Sequence, residues 1–232
     1  MKKYSFEDLL DIVEKLRSPG GCPWDIEQTH DSIKNAMIEE SYEVIEAIEE
    51  KDSEKMADES GDLLLQVVFH AQIGKEKGEY TIDDVIDAVC EKMIHRHPHV
   101  FGDAKADTAE EVLDKWDEIK RKDREQKTIS QELREVTSSL PALMRAKKIQ
   151  KKAEKQGFIF NSPNIAAETV SGILKVLAQN PEPEIAEDYI GRILFDIVSV
   201  AAQAGIDPEL ALKKRTEKFI EEFERYEEKD ET

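Results

Sequence analysis

The 232-residue chain sets 33 Lys and Arg against 52 Asp and Glu, a net charge of −19, with 39% hydrophobic residues and only 10 Gly and 8 Pro. That balance excludes a disordered polar chain and fits a soluble helical protein. With no segregated basic patch, the acidity opposes binding to a nucleic acid polymer, although it suits a cation binder. The two cysteines, Cys22 and Cys90, form no CxxC pair, which excludes a disulfide framework or zinc ribbon. No stretch resembles a signal peptide or reaches the roughly 20 apolar residues of a membrane span, so a cytoplasmic protein without a membrane partner is expected.

In chain order, Phe6, Leu9, Leu10, Val13 and Leu16 make one apolar helical stripe, with Ser5 as N-cap and Pro19-Gly20-Gly21 as stop. GCPWDIEQTHD reads as a loop. Helices follow over about 32–50 and 53–77, the second stopped by Gly78. Thr81 and Asp84 form a capping signal for a helix through Met93, and Pro98 ends that segment. A charged helix spans about 108–127. The pattern weakens over 128–141, where a domain boundary is placed, giving domains 1–128 and 129–232. Three more helices are expected, at about 163–179, 184–204 and 208–228. No strand pattern occurs, so the fold class is all-α.

The second half echoes the first. Gly61-Asp62-Leu63 matches Gly191-Arg192-Ile193, Lys92-Met93 matches Lys218-Phe219, and Glu39 matches Glu168, at offsets of 126 to 130 residues. The chain therefore reads as a diverged tandem duplication.

The strongest chemical pattern is MIEESYEVIEA followed by DESGDLLLQVV. Glu39, Glu40 and Glu43 lie three and four residues apart, hence on one helix face, and Glu59 and Asp62 repeat that spacing on the next helix. Like charges at these separations repel by a few tenths of a kcal/mol, so something should compensate. A hairpin of the two helices would gather hard oxygen ligands of the kind Mg²⁺ requires, the remaining positions being filled by water and substrate phosphates. Gly61 weakens its helix by about 1 kcal/mol and suggests a close approach by a neighbouring helix or ligand. A solvated acidic face is the competing explanation and fits Glu46, Glu49, Glu50 and Glu54. Spacing alone leaves both readings open.

GCPWDIEQTH, EESYEV, ESGDLLLQVVFHAQ, KMIHRHPHVF, EVLDKWDEIK and LPALMRAKKIQ occur in this order. Together they closely resemble the MazG family over nearly the whole chain. The resemblance implies a pyrophosphohydrolase that cleaves nucleoside triphosphates, ribo and deoxy, to the monophosphate and pyrophosphate with Mg²⁺. Its EExxE and ExxD signature falls on Glu39, Glu40, Glu43, Glu59 and Asp62. By position, Glu40, Glu43, Glu59 and Asp62 would be metal ligands, and Glu39 would orient the attacking water or hold a second ion. The resemblance also implies a homodimer and a role in cleaning the nucleotide pool. A non-catalytic nucleotide-sensing or protein-binding helical module is the alternative.

Basic groups for the triphosphate are sought at Lys92 and Arg96, on one face of their helix, and at Lys120. The family usually has two arginines before HPHVF; here His95 replaces the first, and neutral His lacks the bidentate grip of Arg. Trp24 is a candidate for stacking on the base. His95, His97 and His99 lack the spacing of a helical zinc site. In the second half, Glu40, Glu43, Glu59 and Asp62 align with Thr169, Gly172, Tyr189 and Arg192. That half is accordingly expected to be a degenerate MazG-like helical domain without a site of its own.

Overall fold

The computed structural model describes residues 3–123, 128–179 and 181–230, with backbone only for 121 and 228–230. Among them the chain is helical and contains no strand. It divides into two compact units, Met1–Asp123 and Arg124–Thr232.

The first unit holds α1 (Phe6–Arg17), α2 (Pro23–Glu27), α3 (His30–Ile33), α4 (Ala36–Glu50), α5 (Ser53–Lys77), α6 (Ile82–Arg96), α7 (Pro98–Phe101) and α8 (Ala109–Lys122). Helix α5 is its spine, packed by α1, α3, α4 and α6. The Ser5 cap forms with Asp8, and the Thr81 cap with Asp84, as reciprocal side-chain and backbone hydrogen bonds. The segment after Gly21 is not a plain loop. Pro23 opens α2, and Thr29 and Ser32 cap each other's backbone to start α3. The expected helix over 32–50 is therefore broken at Lys34 and Asn35 before α4 begins.

Val13, Ile33, Val68, Phe69 and Ile73 form the buried centre, with Phe6, Leu9, Leu10, Leu65 and Ile82 packed around it. Arg17 locks this core. Its guanidinium reaches both oxygens of Glu76 at 2.9 and 2.7 Å, donates to the carbonyls of Asp25 and Gln28, and lies 5.1 Å above the Phe69 ring. Gly74 makes room for the Tyr80 ring, which a Cβ would approach within 2.7 Å. At Gly61, by contrast, a Cβ would meet nothing within 4 Å, so among the described residues none makes the close approach expected there.

The second unit holds α9 (Ile129–Arg134), α10 (Ala142–Glu154), α11 (Pro163–Leu177), α12 (Pro183–Gln203) and α13 (Pro208–Asp230). Helix α12 is central, against α10, α11 and α13. Its buried residues include Val198 and Ser199, with Ala166 and Ile173 from α11. Gln150, 1% exposed, donates to the Phe195 carbonyl at 2.8 Å, and Lys147 pairs with Asp207 at 2.8 Å. Helices α9 and α10 escaped the periodicity reading. α9 is one capped turn and a half, built on Thr128 and Gln131, and α10 dilutes its apolar stripe with five Lys and Arg.

Candidate metal and phosphate site

Helices α4 and α5 are joined by Lys51, in the left-handed region at φ 58°, and by Asp52, whose carboxylate caps Glu54 and Lys55 at 3.0 Å each. This two-residue connection forces the helices antiparallel, and they pack more extensively than any other pair. The packing brings Glu40 and Glu43 of α4 opposite Glu59 of α5. One carboxylate oxygen from each lies within 4.8 Å of the others. Glu40 and Glu59 are half-buried and Glu43 is exposed.

Burial raises the Glu40 carboxyl above its ordinary range, helped by a hydrogen bond with Glu43 and by the charges of Asp62, Glu43 and Glu59. Glu59 is raised for the same leading reason, then by Glu43, Asp58 and Asp62, with Lys55 opposing. Asp62 therefore belongs to the same field of like charge. Glu39, one residue from Glu40, is exposed and outside the three-carboxylate group. Lys55 offsets the group only in part, because its ammonium is held by Glu46 at 2.8 Å and Glu50 at 3.0 Å.

The donor set suits Mg²⁺. Ligand oxygens around an octahedral ion at 2.0–2.1 Å lie roughly 3–4 Å apart, comparable with the 4.8 Å within which these three oxygens fall. Helices α4 and α5 supply the second requirement, rigid backbones that fix where the carboxylates point.

The other candidate residues lie elsewhere in the unit. Lys92 is exposed on α6, Lys120 is half-buried on α8, and Trp24 is 64% exposed on α2. Arg96 folds over Trp116, 5.4 Å from the ring centroid, with its Nε 4.0 Å from Asp123 Oδ2. That Nε is shut off from solvent without a hydrogen-bond partner. His95 takes the other Asp123 oxygen at 2.8 Å, and His97 stands edge-on to Trp116 at 4.9 Å. Sequence spacing pointed to Arg96 but not to Asp123 or Trp116, which approach it only through the packing of α8 on α6. It also missed His30 and His70, whose Nδ1 atoms meet at 2.8 Å between α3 and α5.

Residues 28–101 match the model of the MazG nucleotide pyrophosphohydrolase domain. A Thermotoga maritima protein that bears the name nucleoside triphosphate pyrophosphohydrolase/pyrophosphatase MazG is 46% identical over 223 residues, 96% of this chain and 86% of that protein. The chain belongs to the MazG family. The Escherichia coli K12 nucleoside triphosphate pyrophosphohydrolase is a further relative, 39% identical over 225 residues, 94% of this chain and 86% of its own. A crystal structure of a mazG-related protein from Thermotoga maritima aligns with 50% of this chain and 98% of its own, at 30% identity and a TM-score of 0.44. The MazG domain match runs from the end of α2 to the end of α7. It contains all five acidic residues with Lys92 and Arg96, and leaves Trp24 and Lys120 outside.

Proposed function

We propose that this chain is a hydrolase that cleaves nucleoside triphosphates, ribo and deoxy, to the monophosphate and pyrophosphate, using Mg²⁺ at the α4–α5 hairpin. The observation that carries the reading is the convergence of Glu40, Glu43 and Glu59 within 4.8 Å across two helices. Glu40, Glu43, Glu59 and Asp62 would hold the ion, and Glu39 would orient water. Bound Mg²⁺ would neutralise phosphate charge and make a coordinated water more acidic. Phosphoryl transfer depends chiefly on positioning and charge neutralisation, and helix-borne carboxylates supply the positioning. Lys92, Arg96 and Lys120 would answer the charge of the triphosphate, and Trp24 would stack on the base.

The biological role that fits is removal of unwanted nucleotides in the cytoplasm, without a nucleic acid polymer or membrane as partner. A homodimer is part of the proposal. Ile38, Ile48 and Leu64, beside the acidic residues, are 52%, 55% and 42% exposed, which leaves an apolar surface for a second copy to cover. Assay of pyrophosphate release over a panel of NTPs and dNTPs, with Mg²⁺ and with EDTA, tests the reading. Mg²⁺-dependent release from at least one nucleotide is expected, and absence of release from every nucleotide would refute it.

A further inference from the structure

Helix α3 meets α5 through a pair of histidines that the carboxylate site does not use. His30 Nδ1 and His70 Nδ1 lie 2.8 Å apart. Their rings are 5° from parallel with centroids 5.1 Å apart, about as far as that nitrogen contact allows, so the two nitrogens point straight at each other. Two bare nitrogens, or two N–H groups, would repel at this distance, so one proton lies between them. A tetrahedral metal would need the two lone pairs to converge at an angle, which the head-on arrangement denies it. The neighbours settle which ring donates. The Glu79 carboxylate stands 3.8 Å from His30 Nε2, which places a proton on that nitrogen and leaves His30 Nδ1 as the acceptor. His70 Nδ1 then donates, and His70 Nε2 is bare. That fits an atom shut off from solvent with no partner, where an orphaned N–H would be the rarer and costlier state. Tyr80 braces both residues, its ring 6.2 Å from that of His30 and its hydroxyl donating to the His70 carbonyl at 3.1 Å.

We propose that His30 and His70 form a one-proton clasp that holds α3 on α5 at neutral pH and opens in acid. A further proton has two places to go. On His30 Nδ1 it sets two N–H groups head-on and breaks the bridge. On His70 Nε2 it keeps the bridge but buries an N–H without an acceptor. Burial, and then the charge of His30, depresses the affinity of His70 for a proton. Its contribution to stability is therefore full above the ordinary value of 6.5 and is lost as pH falls below that, through the depressed folded value. Charged groups of the packed helices are engaged elsewhere: Asp31 with Lys34 beside α3, Glu14 with Lys75 and Arg17 with Glu76 between α1 and α5, and Asp84 with Thr81 at the start of α6. No carboxylate of α4 among the described residues acts on His70. Release of α3 would uncover Ile33, 7% exposed, just ahead of α4.

The test uses the full chain in EDTA without nucleotide, so it stands apart from hydrolysis. Imidazole nitrogen NMR at about pH 8 should find the His70 proton on Nδ1 and the His30 proton on Nε2. The second measurement is Tm of the parent and of His30→Gln between about pH 8 and about pH 5.5. The His30 side chain is 30% exposed, and a glutamine carbonyl there can accept from His70 Nδ1 without titrating. The two proteins should melt alike at about pH 8, and the variant should hold a Tm higher by roughly 2–4 °C at about pH 5.5. A His70 proton on Nε2 in the parent would overturn the proposal, and so would a parallel loss of Tm by parent and variant. If His30→Gln does not fold, the proton position in the parent decides alone.

Discussion

Glu76 holds its place because Arg17, with a side chain only 5% exposed, needs a counter-charge. The guanidinium pulls the Glu76 carboxyl below its ordinary range, with Gln72 assisting. A carboxyl depressed in the folded state stabilises the fold above its unfolded value, here 4.5, and that contribution disappears as pH falls through the folded value. Glu76→Ala should cost about 1–2 kcal/mol at neutral pH, discounted for the exposed side of the pair. The difference from the parent should shrink below about pH 4.5, measured by urea unfolding across pH. The carboxylates of the site behave oppositely. Glu59 is pushed up by burial and by its acidic neighbours, so its charge opposes folding when no cation is bound. Glu59→Gln should therefore raise Tm in EDTA while losing the Tm gain that Mg²⁺ gives the parent. A lower Tm in EDTA would mean that Glu59 serves the fold and not a ligand. The pairing of Glu40 with Glu43 and of Glu59 with Asp62 along their helices was legible in the sequence because spacing on a helix is a local property, whereas the meeting of Glu40, Glu43 and Glu59 depends on α4 packing against α5. The partners of Arg96 were not, because Asp123 and Trp116 reach it through α8 packing on α6.

The long amphipathic elements α1, α5, α6, α12 and α13 follow from apolar periodicity and caps within the chain itself. Helix α2, helix α3 and the break before α4 do not, because each is a turn or so of backbone stabilised by a single Pro or by one Thr-Ser pair. Such short helices rest on local capping and on burial of Ile33, 7% exposed, against α5. Gly61 belongs to this scale. It stands in the interior of α5 with open space where a Cβ would go. Gly61→Ala should stabilise the chain by about 1 kcal/mol through helix propensity. If stability rises while nucleotide hydrolysis falls, the space is reserved for substrate or a second copy. If the variant is destabilised, α5 meets a neighbour there that the single chain does not contain.

Across the whole molecule the two units share helical construction and differ in chemistry. Where the first presents Glu40, Glu43, Glu59 and Asp62, the aligned positions in α11 and α12 hold Thr169, Gly172, Tyr189 and Arg192. Thr169 turns its hydroxyl back to the Ile165 carbonyl at 2.9 Å, as ordinary helix residues do. Arg192 would place a cation where an ion would sit. On the proposed reading hydrolysis belongs to the first unit alone, and inactivating that unit should leave nothing behind. The most direct measurement is Mg²⁺-dependent pyrophosphate release by the full chain and by Glu43→Gln and Asp62→Asn, which keep side-chain shape and remove charge. Each variant should fold normally and lose about a hundredfold or more in rate, with no residual turnover from the second unit. Near-parental rates in saturating Mg²⁺ from either variant would contradict the account.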